Sequence, residues 1–265
     1  MEKIAIISDI HGNLEALKSV LIDIKKENIN NVYCLGDIIG KGMHPNECFG
    51  MISNNTKVIV RGNFEKWIGL ESDYASKAWC FNRSLLNNDT YRGIRSLPFS
   101  YEFYLSGRLV RLFHATPYDI NKKIFAFSNN EALKSMFYKP KDSVIDGYSD
   151  IAIYGHTHNA FVSSLYNRIL INAGSVGISL DLIHDDMFDG CQDFTTMAHY
   201  LILEGELNSL EKGYMGIMIK QVPYDIESEL KDSKDNLDRR GYEMELRLGK
   251  YRDQNRLNRI INENK

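Results

Sequence analysis

A chain of 265 residues, 43% hydrophobic and 25% charged, has the composition of an ordinary globular protein and can bury a substantial core. Its net charge of −3, without a long Lys or Arg run, excludes the electrostatic footprint of a protein that binds nucleic-acid polymers. Cys34, Cys48, Cys80 and Cys191 lack metal-site or disulfide spacing, no apolar run approaches membrane length, and the amino-terminal segment, interrupted by Asp9, is no signal peptide; a cytoplasmic protein with free thiols is expected.

Residues 3–8 form an Ile-rich run that ends in the polar turn Asp9-Ile10-His11-Gly12-Asn13, and Leu14, Leu17, Val20, Leu21 and Ile24 follow at helical spacing. Residues 31–35 repeat the strand before a glycine-rich loop, residues 36–42, that can bend around a ligand, and Pro45 is placed to open the next helix. Residues 57–60 supply a third strand ending in Arg61-Gly62-Asn63-Phe64-Glu65. This alternation predicts an α/β sheet whose ligands gather beyond the carboxyl ends of the strands.

Residues 72–97 have helical apolar spacing (Trp79, Leu85, Leu86, Tyr91, Ile94, Leu97) closed by Pro98, and are read as part of a cap insert over about residues 66–98. Residues 101–105 and 109–113 make a hairpin that delivers His114. A strand at residues 151–154 ends in Gly155-His156-Thr157-His158, and a further hairpin around residues 166–168 leads to Asn172-Ala173-Gly174-Ser175-Val176-Gly177. Residues 197–203 and 215–222 supply two late strands. Beyond Pro223, the spacing of Ile226, Leu230 and Leu237 predicts an amphipathic helix, broken at Gly241 before a second helical piece. The expectation is one domain, residues 1–265, with a C-terminal helical extension over about residues 224–265.

The polar residues at these strand ends are Asp9, His11, Asp37, Asn63, His114, His156 and His158. Singly they prove little: Asp9 reads equally as a helix N-cap, and His156 with His158 as an ordinary surface loop. Jointly, two carboxylates, an amide and four imidazoles form a mixed oxygen and nitrogen donor set suited to Mn, Fe or Zn. Seven donors exceed the needs of one ion, but two cations sharing a bridging carboxylate would use them all.

Asp9-x-His11, Gly36-Asp37-x-x-Gly40, Gly62-Asn63-x-Glu65, His114 and Gly155-His156-Thr157-His158 resemble, in order, the five motifs of the calcineurin-like metallophosphoesterase superfamily. The resemblance implies an α/β (α+β) fold, a four-layer αββα sandwich of two mixed β-sheets flanked by helices. It implies that Asp9, His11 and His158 hold one divalent ion, that Asn63, His114 and His156 hold the other, and that Asp37 bridges them. Catalytic roles then fall to Asp37, Asn63, His114 and His11 around a metal-bridging hydroxide that attacks phosphorus. The family's third motif often carries a proton-donating His where this chain has Phe64, so a substrate with a good leaving group is expected.

The cap, Phe64 and the Asn172-to-Gly177 segment further resemble a bacterial branch that includes asymmetric diadenosine tetraphosphate hydrolases, implying cleavage to ATP and AMP. Lys41, Arg61 and Arg83 are candidate substrate-phosphate contacts; Trp67, Trp79, Phe81 and Tyr91 are candidates for stacking on a base, although core packing explains aromatics at helical spacing as well. His44, His184 and His199 are weighed as replacement proton donors without one being chosen. The expected partner is a small phosphate ester or nucleotide, with no nucleic-acid polymer and no membrane; oligomeric state is not legible. Rival readings are a serine/threonine protein phosphatase, a cyclic-nucleotide phosphodiesterase, and a non-catalytic protein-binding scaffold of the same fold.

Overall fold

The computed structural model describes residues 1–69, 76–182 and 196–264. In chain order its elements are β1 (Glu2–Ile7), α1 (Leu14–Lys26), β2 (Asn31–Cys34), α2 (Pro45–Asn55), β3 (Val58–Ile59), α3 (Asn63–Gly69), α4 (Lys77–Ser84), α5 (Asn88–Arg95), β4 (Ser100–Leu105), β5 (Arg108–Phe113), α6 (Asn130–Ser135), β6 (Ile151–Tyr154), β7 (Phe161–Leu165), β8 (Arg168–Asn172), β9 (Ala198–Gly205), β10 (Gly216–Val222), α7 (Ile226–Asp232), α8 (Arg239–Leu248) and α9 (Gln254–Asn264). No helix among the described residues is long and apolar enough to cross a membrane.

The strands form two mixed five-stranded sheets, ordered β10-β9-β1-β2-β3 and β4-β5-β6-β8-β7. β1 runs parallel to β2 and antiparallel to β9, so both its edges are paired and both its faces covered, which is why the strand reads as an unbroken apolar run. Its side chains alternate between two cores. Ile4 and Ile6 meet Val110, Leu112, Ile151 and Ile153 of the other sheet, while Ala5 and Ile7 pack against Leu17, Val20 and Ile52 of α1 and α2. The second sheet repeats the pattern: Ala152 and Tyr154 turn outward to Ala132 and Met136 at α6. The layers are therefore helices, sheet, sheet, helix. The carboxyl ends of the parallel strands β1, β2, β3, β5, β6 and β8 carry every loop singled out above.

Local chemistry decides between the two readings of Asp9 and explains where two expectations differ from the structure. The N-cap of α1 is Asn13 rather than Asp9: the Asn13 carbonyl oxygen accepts the Ala16 N–H at 3.0 Å, which frees Asp9 to face away from the helix. The helical stretch expected at residues 72–97 is divided, because Asn87 adopts extended backbone to cap α5 through the Thr90 N–H and so ends α4 before it; residues 72–75 lie outside the described residues. Gly241 does not break a helix. It lies in the first turn of α8 and donates its N–H to the capping carboxylate of Asp238, and a Cβ at position 241 would stand 2.5 Å from that carboxylate. The break falls earlier, after Ser233 caps the end of α7.

The C-terminal helices dock at the site end of the fold. Glu229 on α7 accepts the Leu14 N–H of α1 at 3.1 Å and the Tyr242 hydroxyl of α8 at 3.0 Å, while Tyr242, Leu246 and Leu257 pack on Ile178, Leu180 and Leu182. Asn13 adds a second tie, donating to the Gly177 carbonyl at 2.8 Å. Asn13→Ala removes a helix cap and leaves a buried carbonyl unpaired, so unfolding stability should fall by about 1.5–4 kcal/mol, with Asn13→Ser, which keeps the cap, falling less. Chemical denaturation measures both; equal losses in the two variants would show that the cap contributes nothing, and no loss in Asn13→Ser would show the same of the Gly177 bond.

Candidate metal centre

Asp9 and His11 follow β1, Asp37 follows β2, Asn63 opens α3 after β3, His114 follows β5, and His156 and His158 follow β6. The loops are stitched to one another by backbone bonds: Asp9 N to Gly36 O at 3.0 Å, His11 N to Asp37 O at 2.8 Å, Gly155 N to His114 O at 2.9 Å, Gly177 N to Asp9 O at 3.0 Å. Asp9, His11, Asp37, His156 and His158 all adopt left-handed backbone, with φ between 50° and 65°. Asp and His tolerate that region better than most residues, yet each such residue costs about 1–2 kcal/mol, so the fold holds five of them against their local preference.

Glu65 is the clamp beneath Asp37. One carboxylate oxygen accepts the N–H groups of Asp37 at 2.8 Å and Gly62 at 2.9 Å, the other those of Ile38 at 2.8 Å and Ile39 at 3.2 Å. Burial and the charge of Asp37 lift the Glu65 carboxyl to about 7, against the pull of these N–H groups. The approach is close enough to require glycine at position 62, where a Cβ would meet Asp37 N and Oδ1 at 2.2 Å. Gly155 is needed for the same reason, beside Asp9 Oδ2 at 2.3 Å.

All seven side chains stand together, buried. Asp9, His11 and His158 form one group with ligand atoms mutually within 4.8 Å, and Asp37, His114 and His156 form a second. Across the first, His11 Nε2 is 3.1 Å from His158 Nε2, and Asp9 Oδ1 is 3.2 Å from His158 Nε2 and 3.8 Å from His11 Nε2. In the second, His114 Nε2 is 3.2 Å from His156 Nδ1 and 2.9 Å from the Asn63 carbonyl oxygen. Asp37 lies between the groups, its Oδ2 3.4 Å from His114 Nε2 and 3.7 Å from His11 Nε2, while its Oδ1 accepts the Phe64 N–H at 2.8 Å. Donors sharing one ion at bond lengths near 2.1 Å sit roughly 3–3.5 Å apart, so these separations suit shared cations.

Hydrogen bonds on the far side of the donors decide what they present. His114 Nδ1 donates to Leu35 O at 2.9 Å, His158 Nδ1 to Ile178 O at 2.7 Å, and His156 Nε2 to Asn121 O at 3.0 Å. Each bond puts a proton on the outer nitrogen, leaving the inner one to offer its lone pair. Asp9 Oδ2 takes Ser8 Oγ at 2.6 Å and His156 N at 2.8 Å, while Oδ1, equally buried, has no hydrogen-bond donor. The Asn63 oxygen faces acceptors only, Asp37 Oδ2 at 3.2 Å and His156 Nδ1 at 2.8 Å among them; turning the amide would satisfy them with N–H groups instead. Lone pairs gathered in a buried space repel one another unless positive charge stands between them, and the residues therefore fit a pair of divalent cations.

Burial and the charge of Lys41 press the His11 imidazole well below its ordinary range, and burial with the charges of Lys123 and His114 does the same to His156. Burial also works against a proton on His114, but the Asp37 carboxylate outweighs it and raises this imidazole to about 9. That proton occupies the electrostatic position of a cation, and a divalent ion would displace it. Burial pushes the Asp9 carboxyl up, yet His158 and His114 together hold it well below the carboxylate range.

The centre floors a cavity of 470 Å³. Its other lining includes Phe64, Trp67 and Phe81, the cations Lys41, Lys123, Arg252 and Arg256, and Leu237 and Glu245 from the C-terminal region. Of the substrate contacts expected from sequence, Lys41 lines this space; Arg61 and Arg83 do not, and the Arg83 guanidinium stacks 3.5 Å from the Tyr91 ring instead. Trp79 donates its indole N–H to Trp67 O and packs toward the core with Tyr91. His44 lies 3.6 Å from Asp232 and His199 is buried in β9, neither of them in the lining; His184 falls outside the described residues, as does Cys191. Sequence reading missed Lys123, Arg252 and Arg256, and it missed the service of Asn172, Ser175 and Gly177, which brace the ligand loops from behind: Asn172 donates to Gly155 O at 2.7 Å and Ser175 Oγ to Asp9 O at 2.7 Å.

Comparison with known proteins agrees with this architecture. The family model described as the calcineurin-like phosphoesterase superfamily domain matches residues 2–187. An uncharacterized protein of Methanocaldococcus jannaschii is 34% identical over 232 residues, 84% of this chain and 88% of that one. Two solved structures share the fold: a metallophosphoesterase from Sphaerobacter thermophilus, with TM-score 0.67 and 22% identity over 93% of this chain and 99% of that one, and a hypothetical protein from Pyrococcus horikoshii, with TM-score 0.72 and 15% identity over 95% and 100%.

Glu65→Gln tests the clamp. An amide turns N–H groups toward backbone N–H groups that need acceptors, so Asp37 should lose its fixed position and Mn affinity should weaken about 10- to 100-fold in calorimetric titration. Unchanged affinity would mean that Asp37 holds its place without Glu65.

Proposed function

Because the chain belongs to the calcineurin-like phosphoesterase superfamily, we propose that its substrate is a nucleotide with a phosphoanhydride or phosphodiester link, diadenosine tetraphosphate split to ATP and AMP being the first candidate. In this reading Asp9, His11 and His158 would hold one divalent ion, Asn63, His114 and His156 the other, and Asp37, placed between the two groups, would serve both, with Mn or Fe the favoured metal. The ions, when bound, supply an activated water and positive charge for the phosphoryl oxygens.

The observation that carries the substrate class is the environment of Phe64. Its ring stands edge-on to His11 at 5.0 Å between centroids, packs on Trp67 at 5.4 Å, and fills the space above Gly40, where a Cβ would meet the ring at 2.2 Å. A phenyl ring transfers no proton, and general acid catalysis is typically worth ~10²–10⁴-fold, most where the leaving oxygen is a poor one. A phosphate or aryl leaving group departs without that help; a serine alkoxide does not.

The cavity supports the nucleotide. Its volume suits a small molecule, residues of the C-terminal region line it, and Trp67, 44% exposed, offers a ring face beside the centre. Those features argue against a folded phosphoprotein substrate. All seven donors are present, and this argues against a scaffold that has lost its site.

The Mn-loaded protein should release ATP and AMP from diadenosine tetraphosphate, hydrolyse bis-p-nitrophenyl phosphate, lose both activities with a chelator, and leave a phosphoserine peptide intact; chromatography of the products reads all four. Turnover of the peptide alone would move the protein to the phosphatases. Phe64→His, a smaller ring at the same place, should raise hydrolysis of alkyl phosphates by about tenfold or more while changing aryl substrates little. No gain on alkyl phosphates would remove Phe64 from the account of leaving-group choice.

A further inference from the structure

Among the described residues four cations line the cavity beside the metal centre, and two of them are internally answered. Lys41 Nζ lies 3.4 Å from Glu245 Oε2, and Arg252 donates to both Glu245 oxygens, at 2.6 Å and 2.9 Å, and to Asp238 at 2.5 Å. Glu245 is fully buried on α8, so this Lys41–Glu245–Arg252 triad is a fixed part of the wall. Arg256 on α9 is exposed.

Lys123 differs from all three. Among the described residues it has no hydrogen-bond or ion-pair partner, although it is partly buried and lines the cavity. Nor does it sit on a loose loop. Two residues before it Asn121 O accepts the His156 ring N–H, the next residue's carbonyl, Ile124 O, accepts the Tyr154 hydroxyl at 2.7 Å, and Phe125 N–H donates to Ser128 Oγ at 2.9 Å. Ile124 and Phe125 are themselves buried in two different cores. A pinned backbone thus delivers an ammonium without a carboxylate partner into the space beside seven metal-donor side chains. An ammonium so placed is a receptor for an anion.

We infer that Lys123, flanked by the Lys41–Glu245–Arg252 triad, binds the second phosphate of the substrate, the one that departs with the leaving group, and so selects phosphoanhydrides over simple diesters. This rests on the phosphoesterase reading above. The bond changes balance without a protein proton donor: a water oxygen bonds to the attacked phosphorus, and the P–O bond to the bridging oxygen breaks. The bridging oxygen leaves with its electron pair on the second phosphate, and the protons of the water end on phosphate oxygens or in solvent. Lys123 steadies the charge that accumulates on the departing phosphate, the positioning role that fixed cations serve at phosphoryl groups. Phe64 is tolerated for the same reason, since a phosphate leaves as a stable anion.

The test compares wild type, Lys123→Met and Lys123→Arg, all Mn-loaded, on diadenosine tetraphosphate and on bis-p-nitrophenyl phosphate, which has no second phosphate. In Lys123→Met the KM for the tetraphosphate should rise about 10- to 100-fold, the effect of one charge-assisted hydrogen bond, and kcat/KM should fall roughly tenfold more for it than for the diester. Lys123→Arg should recover part of the loss. Calorimetric binding of inorganic tripolyphosphate to metal-free protein should weaken in parallel, and Lys123→Gln replaces Lys123→Met if the latter melts early. Equal losses on both substrates, no loss on the tetraphosphate, or a wild type that cleaves the diester but no phosphoanhydride would each overturn the subsite. A wild type that cleaves neither would overturn the phosphoesterase reading along with it.

Discussion

Seven lone-pair donors are packed into one buried space, and the repulsion between them is the constraint that organises the rest of the molecule. Hydrogen bonds on the outer side hold four of them in place: His114 is tied to Leu35, His158 to Ile178, His156 to Asn121, and Asp9 to Ser8 and the His156 N–H, while His11 Nδ1 has no hydrogen-bond partner. Left without positive charge the arrangement is costly, as the proton drawn onto His114 by Asp37 indicates. With cations between them the same donors become a stabilising cluster, and left-handed backbone at five positions is offset in the bargain. Two sheets are needed because neither alone could supply the set. Asp9, His11, Asp37 and Asn63 come from the ends of one, and His114, His156 and His158 from the ends of the other.

Position relative to strands was legible in the sequence, and position relative to distant elements was not. Each candidate donor follows a short apolar run, and a strand buried on both faces must be such a run, so β1, β2, β5 and β6 and the loops after them could be read directly. Helix boundaries were less visible. Asn87 as a cap inside an apolar-periodic stretch, and Gly241 as a residue placed by Asp238 rather than a breaker, depend on one hydrogen bond each. The braces are harder still. Glu65 stands in an evident motif, but nothing in its spacing says that it accepts four backbone N–H groups, three of them from another loop. Lys123 and Arg252 reach the cavity from segments 129 residues apart, brought together by the docking of α8 and α9, and local periodicity carries no trace of such an apposition.

The two sides of the cavity divide the chemistry between them. One side is the donor cluster. The other is made by Phe64, Trp67 and Phe81 and by the C-terminal region with Glu245 and Arg252. Phe64 offers no proton beside His11, while the wall places cations around the same space. Under the proposed function the two would act together, favouring a substrate whose leaving group is a stable phosphate over one that must release an alkoxide.

Crystals grown with Mn, with diffraction recorded at a wavelength where that metal scatters anomalously, test the central claim most directly. Two anomalous peaks about 3.5–4 Å apart, one on each side of the Asp37 carboxylate, are the result the account predicts. A well-ordered Asp37 with no anomalous density beside it, its neighbours satisfied by protons and a turned Asn63 amide, would contradict it.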